Sequence, residues 1–195
     1  MNYLAHLLLS GPDRDVQVGG LLGDFVKGPL RQELPAAVEF GIRLHRKIDV
    51  ITDHQPEFLA AATVVPPHWR RYRGILLDIY FDHLLATRWD DFHPRPLAEF
   101  CQDFYTQLAI HHASLPPRAR HFCEVAPRVQ WLESYARQEL MPTIYDNVGK
   151  RLRRPIPLGD SWPELEKERD FLNQAFDGLM LELLDFAENY RHNQT

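Results

Sequence analysis

The chain has 195 residues, 45% of them hydrophobic and 25% charged, with a formal net charge of −5. That is the composition of a soluble globular protein long enough to bury a full core, and the length fits one domain over residues 1–195. No stretch approaches the ~18 apolar residues of a membrane span, and the charge balance is not that of a general nucleic-acid binder.

Residues 2–9 read as a short helix, with Asn2 and His6 four apart. The segment is apolar but has no basic leader and is interrupted by His6, so it reads as a buried first helix rather than a signal peptide. Gly11-Pro12 and the polar Asp13-Arg14-Asp15 break it. VGGLLGDFVKGPL follows, crowding Gly19, Gly20, Gly23 and Gly28 around Asp24. With no GKS or GKT and no preceding strand it is not a phosphate loop. Two readings stand: close packing of helix backbones, or clearance that lets Asp24 approach a ligand.

Pro35 starts the helix around which the chain is organised, and Pro56 marks its end region. In FGIRLHRKIDVITD, residues 40–53, Phe40, Leu44, Ile48 and Ile51 recur at helical spacing. Beside that stripe His45 and Asp49 are four apart, with Thr52 and Asp53 a turn further on. An imidazole and two carboxylates are therefore aimed at one volume. A charged row so near a buried stripe is costly unless a cation pairs with it. A short helix over 57–63 leads to Pro66-Pro67, and a helical pattern resumes from His68 to Trp89. There Ile75, Asp78, Asp82 and Leu85 share one face, with His83 adjacent. Unpaired carboxylates inside an apolar stripe neutralise or destabilise, so a shared cation is the economical expectation.

A further helix spans 96–113, and one or two more fall within 118–149, interrupted at Pro127 and Pro142. Lys150 to Gly159 is a basic, proline-containing connector. Ser161 and Glu164 form a capping-box pattern at the start of the last helix. Its apolar residues, Leu165, Leu172, Phe176, Leu179, Leu183, Phe186 and Tyr190, recur in steps of seven, four, three, four, three and four, a stripe for core or for a dimer seam. Oligomeric state is left open. From Asp160 to Glu188 nine acidic residues face only Lys167 and Arg169, so the body of the chain is near neutral, with basic clusters at Arg70-Arg71-Arg73 and Lys150 to Arg154. No segment alternates cleanly as a strand. The expectation is an all-α, single-domain helical bundle. Cys101 and Cys123 form no CxxC, and a reduced, cytoplasmic protein is the default.

The candidate metal ligands are His6, Asp24, His45, Asp49, Asp78, Asp82 and His83. Carboxylates and imidazoles without cysteine suit Mn²⁺, Mg²⁺ or Fe²⁺ better than a structural zinc site. The plainer readings are a helix-surface hydrogen bond for His45 with Asp49, and ion pairs with Arg43, Arg46 or Lys47 for Asp78 and Asp82. Arginine's planar fork suits a phosphate, so Arg43 or Arg46 is a candidate to hold an anionic group at the metal. Arg70, Arg71 and Arg73 read either as a solvated face or as a docking patch for an acidic partner. His93, His111, His112 and His121 read as surface residues, and Trp69, Trp89 and Trp131 as packing.

MNYLAHLLLS, GGLLGDFVKG, GIRLHRKIDVITD, LDIYFDHLLATRW and DSWPELE resemble, in order and spacing, segments of the acyl carrier protein phosphodiesterases, also called acyl carrier protein hydrolases. Residues 95–155 carry no such motif. The resemblance implies an all-helical, HD-domain-like, metal-dependent phosphohydrolase, with Mn²⁺ the usual cation, in the lipid metabolism of fatty acid biosynthesis. Its implied substrate is holo-acyl carrier protein. Hydrolysis of the phosphodiester between a serine and the 4′-phosphopantetheine arm gives apo-protein. The ordinary HD pattern has a His, an adjacent His-Asp pair and a distant Asp. Here Arg46 follows His45 and the adjacent pair is reversed, Asp82-His83. The ligand set read from this chain is therefore drawn from Asp24, His45, Asp49, Asp78 and Asp82. His83 or His6 would act as general acid, and Arg43 or Arg46 would stabilise developing charge. Arg70, Arg71 and Arg73, with Arg151, Arg153 and Arg154, would steer an acidic carrier protein. On this reading Asp78→Ala or Asp82→Ala abolishes turnover and spares binding. The alternatives are a nucleotide or other small phosphodiester at the same site, and a non-catalytic helical module that binds acidic proteins.

Overall fold

A computed structural model describes residues 1–193, and every regular element in them is helical. In chain order the helices are α1 (Tyr3–Leu9), α2 (Arg14–Leu22), α3 (Ala36–Thr52), α4 (Pro56–Val64) and α5 (Arg73–Thr87). There follow α6 (Leu97–Ile110), α7 (Pro117–Val125), α8 (Met141–Gly149), the single turn α9 (Trp162–Leu165) and α10 (Arg169–His192). Short 3₁₀ turns join several of them. The buried side chains form one continuous cluster that draws on all ten. No helix among the described residues is long and apolar enough to cross a membrane.

Helix α1 is the pivot. Leu4 to Leu9 are all buried, as an all-round apolar helix requires, against α2, α5 and α10. Both of its ends meet a complementary charge. The backbone N–H groups of Leu4 and Ala5 donate to the two oxygens of Asp82, at 2.8 and 3.1 Å. At the other end Arg191 donates to the Leu9 carbonyl. A seven-residue helix is marginal alone, and these contacts satisfy groups its ends leave unpaired while opposing its dipole.

Helices α2 and α3 pack closely. A Cβ on Gly19 would stand 2.1 Å from the Val38 carbonyl oxygen, and one on Gly41 would stand 2.2 Å from that of Val16. Only glycine at both positions lets the two backbones touch. Helix α3 begins after Pro35, and Pro56 opens α4, as the proline spacing predicts.

Three sequence expectations need correction. The pattern from His68 to Trp89 is not one helix: Pro67–Tyr72 is a 3₁₀ segment, and α5 starts at Arg73. The double proline enters extended, and the tight turn tucks Trp69 inward, where its Nε1 donates to Glu164 Oε1 at 2.8 Å. That bond engages Glu164, while Ser161 Oγ donates to the Leu158 carbonyl at 2.6 Å, so the capping box does not form. The long helix starts instead at Arg169. From Leu172 to Leu183 its stripe is buried core, and Phe186 and Tyr190 pack against that core half-buried. Pro142, finally, lies in the first turn of α8 and opens that helix rather than interrupting it.

Candidate metal centre

Helix α1 carries His6, and α3 carries His45 and Asp49 on the turn beside it. The two imidazole rings stack, centroids 3.7 Å apart. Asp49 faces both: Oδ1 is 3.0 Å from His6 Nε2, and Oδ2 is 3.1 Å from His45 Nε2. His45 Nδ1 donates to the Gly20 carbonyl at 2.7 Å, which orients the ring and turns Nε2 toward Asp49. His6 differs. Among the described residues neither of its ring nitrogens has a regular hydrogen-bond partner, and its nearest polar contact is Asp49 Oδ1 at 3.0 Å. A buried imidazole without a partner is expensive unless something else takes its lone pair.

The local sequence makes room for this arrangement. A Cβ on Gly23 would stand 2.1 Å from His45 Cγ, so Gly23 admits the ring. Of the two readings of the glycine-rich segment, Gly19 serves backbone packing and Gly23 serves clearance, for His45 rather than for Asp24. Ser10 Oγ donates to the His6 carbonyl at 2.7 Å and fills the space left by Gly20.

The electrostatics prepare a donor set. Burial, then the neighbouring His45, pushes His6 down to about 3, so its imidazole is neutral at physiological pH. For Asp49, burial works upward, but the two imidazoles outweigh it and hold the carboxyl well below the usual carboxylate range. One potential ligand atom from each of His6, His45 and Asp49 lies within 4.8 Å of the other two. His6 and His45 are 1% and 3% exposed while Asp49 is 44% exposed, giving a closed back and an open mouth. Two imidazoles and a carboxylate, with the His6 ring nitrogens forming no regular hydrogen bond among the described residues, fit a divalent cation.

Asp24 extends the set outward. Its Oδ1 is 4.0 Å from His45 Nε2, and it lines a cavity of about 290 Å³ with Tyr3, Phe25, Asp78, Arg118 and Arg151. Asp78 sits in the wall of that cavity and accepts from the Met1 amine at 2.8 Å. Burial raises its carboxyl, against the pull of that amine.

Other expected site residues have different work. Asp82 is fully buried with both oxygens engaged by Leu4 and Ala5, so the positive group it answers is the N-terminus of α1 and not an ion shared with Asp78. His83 points away from the centre, its Nδ1 hydrogen-bonded to the Tyr135 carbonyl at 2.7 Å and its ring edge-on to Trp162. Arg43 lies 3.6 Å from Glu39, and Arg46 donates to the Val26 carbonyl at 2.8 Å. Neither lines the cavity. Among the described residues, the arginines that do are Arg118 and Arg151. Arg118 follows a double proline and carries no periodic signal. Arg151 was visible only as one member of a basic run. Of the expected docking patch, Arg71 joins Arg153 and Arg154 around a neighbouring cavity of about 510 Å³, while Arg70 and Arg73 are exposed nearby.

The family model for acyl carrier protein phosphodiesterase matches residues 1–183, including the middle of the chain where no motif is legible. The chain is 36% identical over 177 residues to the acyl carrier protein phosphodiesterase of Enterobacter sp. (strain 638), covering 90% of this chain and 92% of that protein. It is 33% identical over 190 residues to the protein of the same name from Klebsiella pneumoniae subsp. pneumoniae, covering 97% and 98%. For that of Serratia proteamaculans the identity is 33% over 177 residues, covering 90% and 92%. No solved structure matches. A family-model match over residues 1–183, with relatives 33–36% identical over nine-tenths or more of the chain, places the chain in the acyl carrier protein phosphodiesterase family.

Proposed function

We propose that this protein is a metal-dependent phosphodiesterase that removes the 4′-phosphopantetheine arm from holo-acyl carrier protein. The observation that carries the metal is His6, a buried imidazole stacked on His45 and 3.0 Å from Asp49, whose ring nitrogens have no regular hydrogen-bond partner among the described residues. His6, His45 and Asp49 would hold the cation, with Asp24 at the mouth. Mn²⁺ is the first choice, and Mg²⁺ and Fe²⁺ are also compatible with oxygen and imidazole donors. Such a cation supplies Lewis-acid polarisation of a phosphoryl oxygen and acidifies water.

The chain's own residues divide the remaining work. Arg118 and Arg151 offer guanidinium groups to the non-bridging oxygens and offset charge as it builds. His45, held by the Gly20 carbonyl, keeps the donor set in register. Water adds to phosphorus, the bond to the serine oxygen breaks, and that oxygen takes up a proton. The proton lost by the attacking water passes through solvent in the open cavity to that oxygen, while Asp78 stays paired with the Met1 amine in the wall. Outside, Arg71, Arg153 and Arg154 surround a cavity that meets the reaction cavity at Ile75 and Leu152. They form the rim for an acidic carrier protein. Two buried free cysteines, Cys101 and Cys123, accord with a reducing, cytoplasmic setting.

The test is mass spectrometry of holo-acyl carrier protein incubated with this protein, with Mn²⁺ and with a chelator. Loss of the whole arm only with metal is the expected result. An unchanged mass with metal-loaded, folded protein would reject the substrate.

A further inference from the structure

The reaction cavity opens into a second one of about 440 Å³, and the two share Tyr3, Phe25, Arg118 and Arg151. That volume lies within the range of small-molecule sites. Beyond the shared residues its wall is formed by Pro117, His121, Phe122, Val125, Ala126 and Trp131, and among the described residues no carboxylate lines it. The rings of Tyr3, Phe25 and Phe122 pack on one another, with centroids 5.3 to 6.3 Å apart. Burial, then Asp24, pushes Tyr3 up to about 12, so it presents a neutral phenol. The gallery is thus mainly apolar, with His121 at an exposed position on its wall, and cationic where it joins the reaction cavity.

Among the described residues neither Arg118 nor Arg151 makes an ion pair, and the Arg151 guanidinium lies over the Trp131 ring, 5.2 Å from its centroid. An unpaired guanidinium pair at the neck of an apolar gallery matches a ligand that is anionic at one end and neutral along the rest. The rim arginines Arg71, Arg153 and Arg154 lie on another side of the reaction cavity, across Ile75 and Leu152. The site therefore has two unlike exits, one cationic and one aromatic.

We infer that the aromatic gallery between α1 and α7 holds the pantetheine arm of the substrate. Arg118 and Arg151 grip its phosphate, and the carrier protein's serine leaves toward the Arg71 side. This rests on the phosphodiesterase reading above. The arm suits the gallery chemically. It is thin and uncharged, carries a geminal methyl pair and amides, and ends in a thiol, so only its phosphate needs a cation.

Trp131 provides a local readout. Free 4′-phosphopantetheine titrated into the full chain should change tryptophan fluorescence, and the change should vanish in Trp131→Phe. Val125→Glu, at an exposed position on the gallery wall, should weaken binding at least tenfold. His121→Glu, also exposed on that wall, is the second variant should the first fail to fold. Adenosine 3′-phosphate should bind the wild type at least tenfold less tightly than 4′-phosphopantetheine. Equal affinity of wild type and both variants, or tighter binding of the nucleotide, would overturn the inference. Cleavage of holo-acyl carrier protein is measured alongside. Cleavage with no effect at the gallery rejects the gallery alone. Arm binding without cleavage rejects the activity and leaves the gallery standing.

Discussion

Two clusters of acidic residues on apolar helical stripes look alike in this sequence and differ in the structure. On α3, Asp49 meets His45 and, across the helix interface, His6, whose ring nitrogens have no hydrogen-bond partner. On α5, Asp82 meets two backbone N–H groups of α1 and Asp78 meets the Met1 amine. Both clusters answer the same physical demand, since a carboxylate near a core needs a positive partner. In the second, hydrogen bonds already within the protein meet that demand. In the first, an imidazole from α1 and an imidazole and a carboxylate from α3 converge on one point at the surface of the core. A donor set is recognised by what it leaves unsatisfied, not by the number of acids it contains.

The sharpest way to break this contrast is to substitute one member of each cluster. Asp49→Ala should reduce turnover by more than the roughly 10–100-fold that follows loss of a residue merely hydrogen-bonded to a ligand. Single-turnover cleavage measures it. Arg118→Ala comes next, with kcat/KM expected to fall about a hundredfold while metal content is unchanged. Asp82→Ala belongs to the other class. It should lower stability by about 1–3 kcal/mol in urea melts, through the unpaired N–H groups of α1, and leave the metal bound. A loss of metal equal to that in Asp49→Ala would erase the distinction.

A pH series separates the clusters further. Burial, opposed by the Leu4 and Ala5 N–H groups, raises Asp82 from its ordinary 3.8 to about 7. Between those values the folded protein holds a proton that the unfolded chain has lost, so stability from this group is full below pH 3.8 and declines as pH rises to about 7. Asp82→Asn should flatten that slope. The smallest effect is expected at the rim. Arg71→Glu should slow association with the carrier protein several-fold at low salt, and the difference should fade at high salt.

What the sequence reveals follows from where the information lies. Helical spacing puts His45 and Asp49 on one face and Asp78 and Asp82 on another, and the structure keeps both pairings. Spacing within a helix cannot say what faces it across a packing interface. His6 reaches Asp49 because α1 lies against the α2–α3 pair, and Asp82 is engaged because the end of α1 abuts α5. The glycines were legible as a crowd, but Gly23 acquires its purpose only when the His45 ring is in place. Arg118 and Arg151 come from proline-rich stretches without periodicity, and only tertiary folding gives them one cavity. Arg43 and Arg46 flank His45 in the sequence and turn outward on the helix, since adjacent residues do not share a face.

The central claim is that His6, His45 and Asp49 bind the divalent cation and Asp82 does not. Isothermal titration of metal-free protein with Mn²⁺, comparing wild type, Asp49→Asn and Asp82→Asn, addresses it directly. The account predicts that Asp82→Asn binds as the wild type does and that Asp49→Asn loses the high-affinity ion. Retention of the ion by Asp49→Asn and its loss from a folded Asp82→Asn would contradict it.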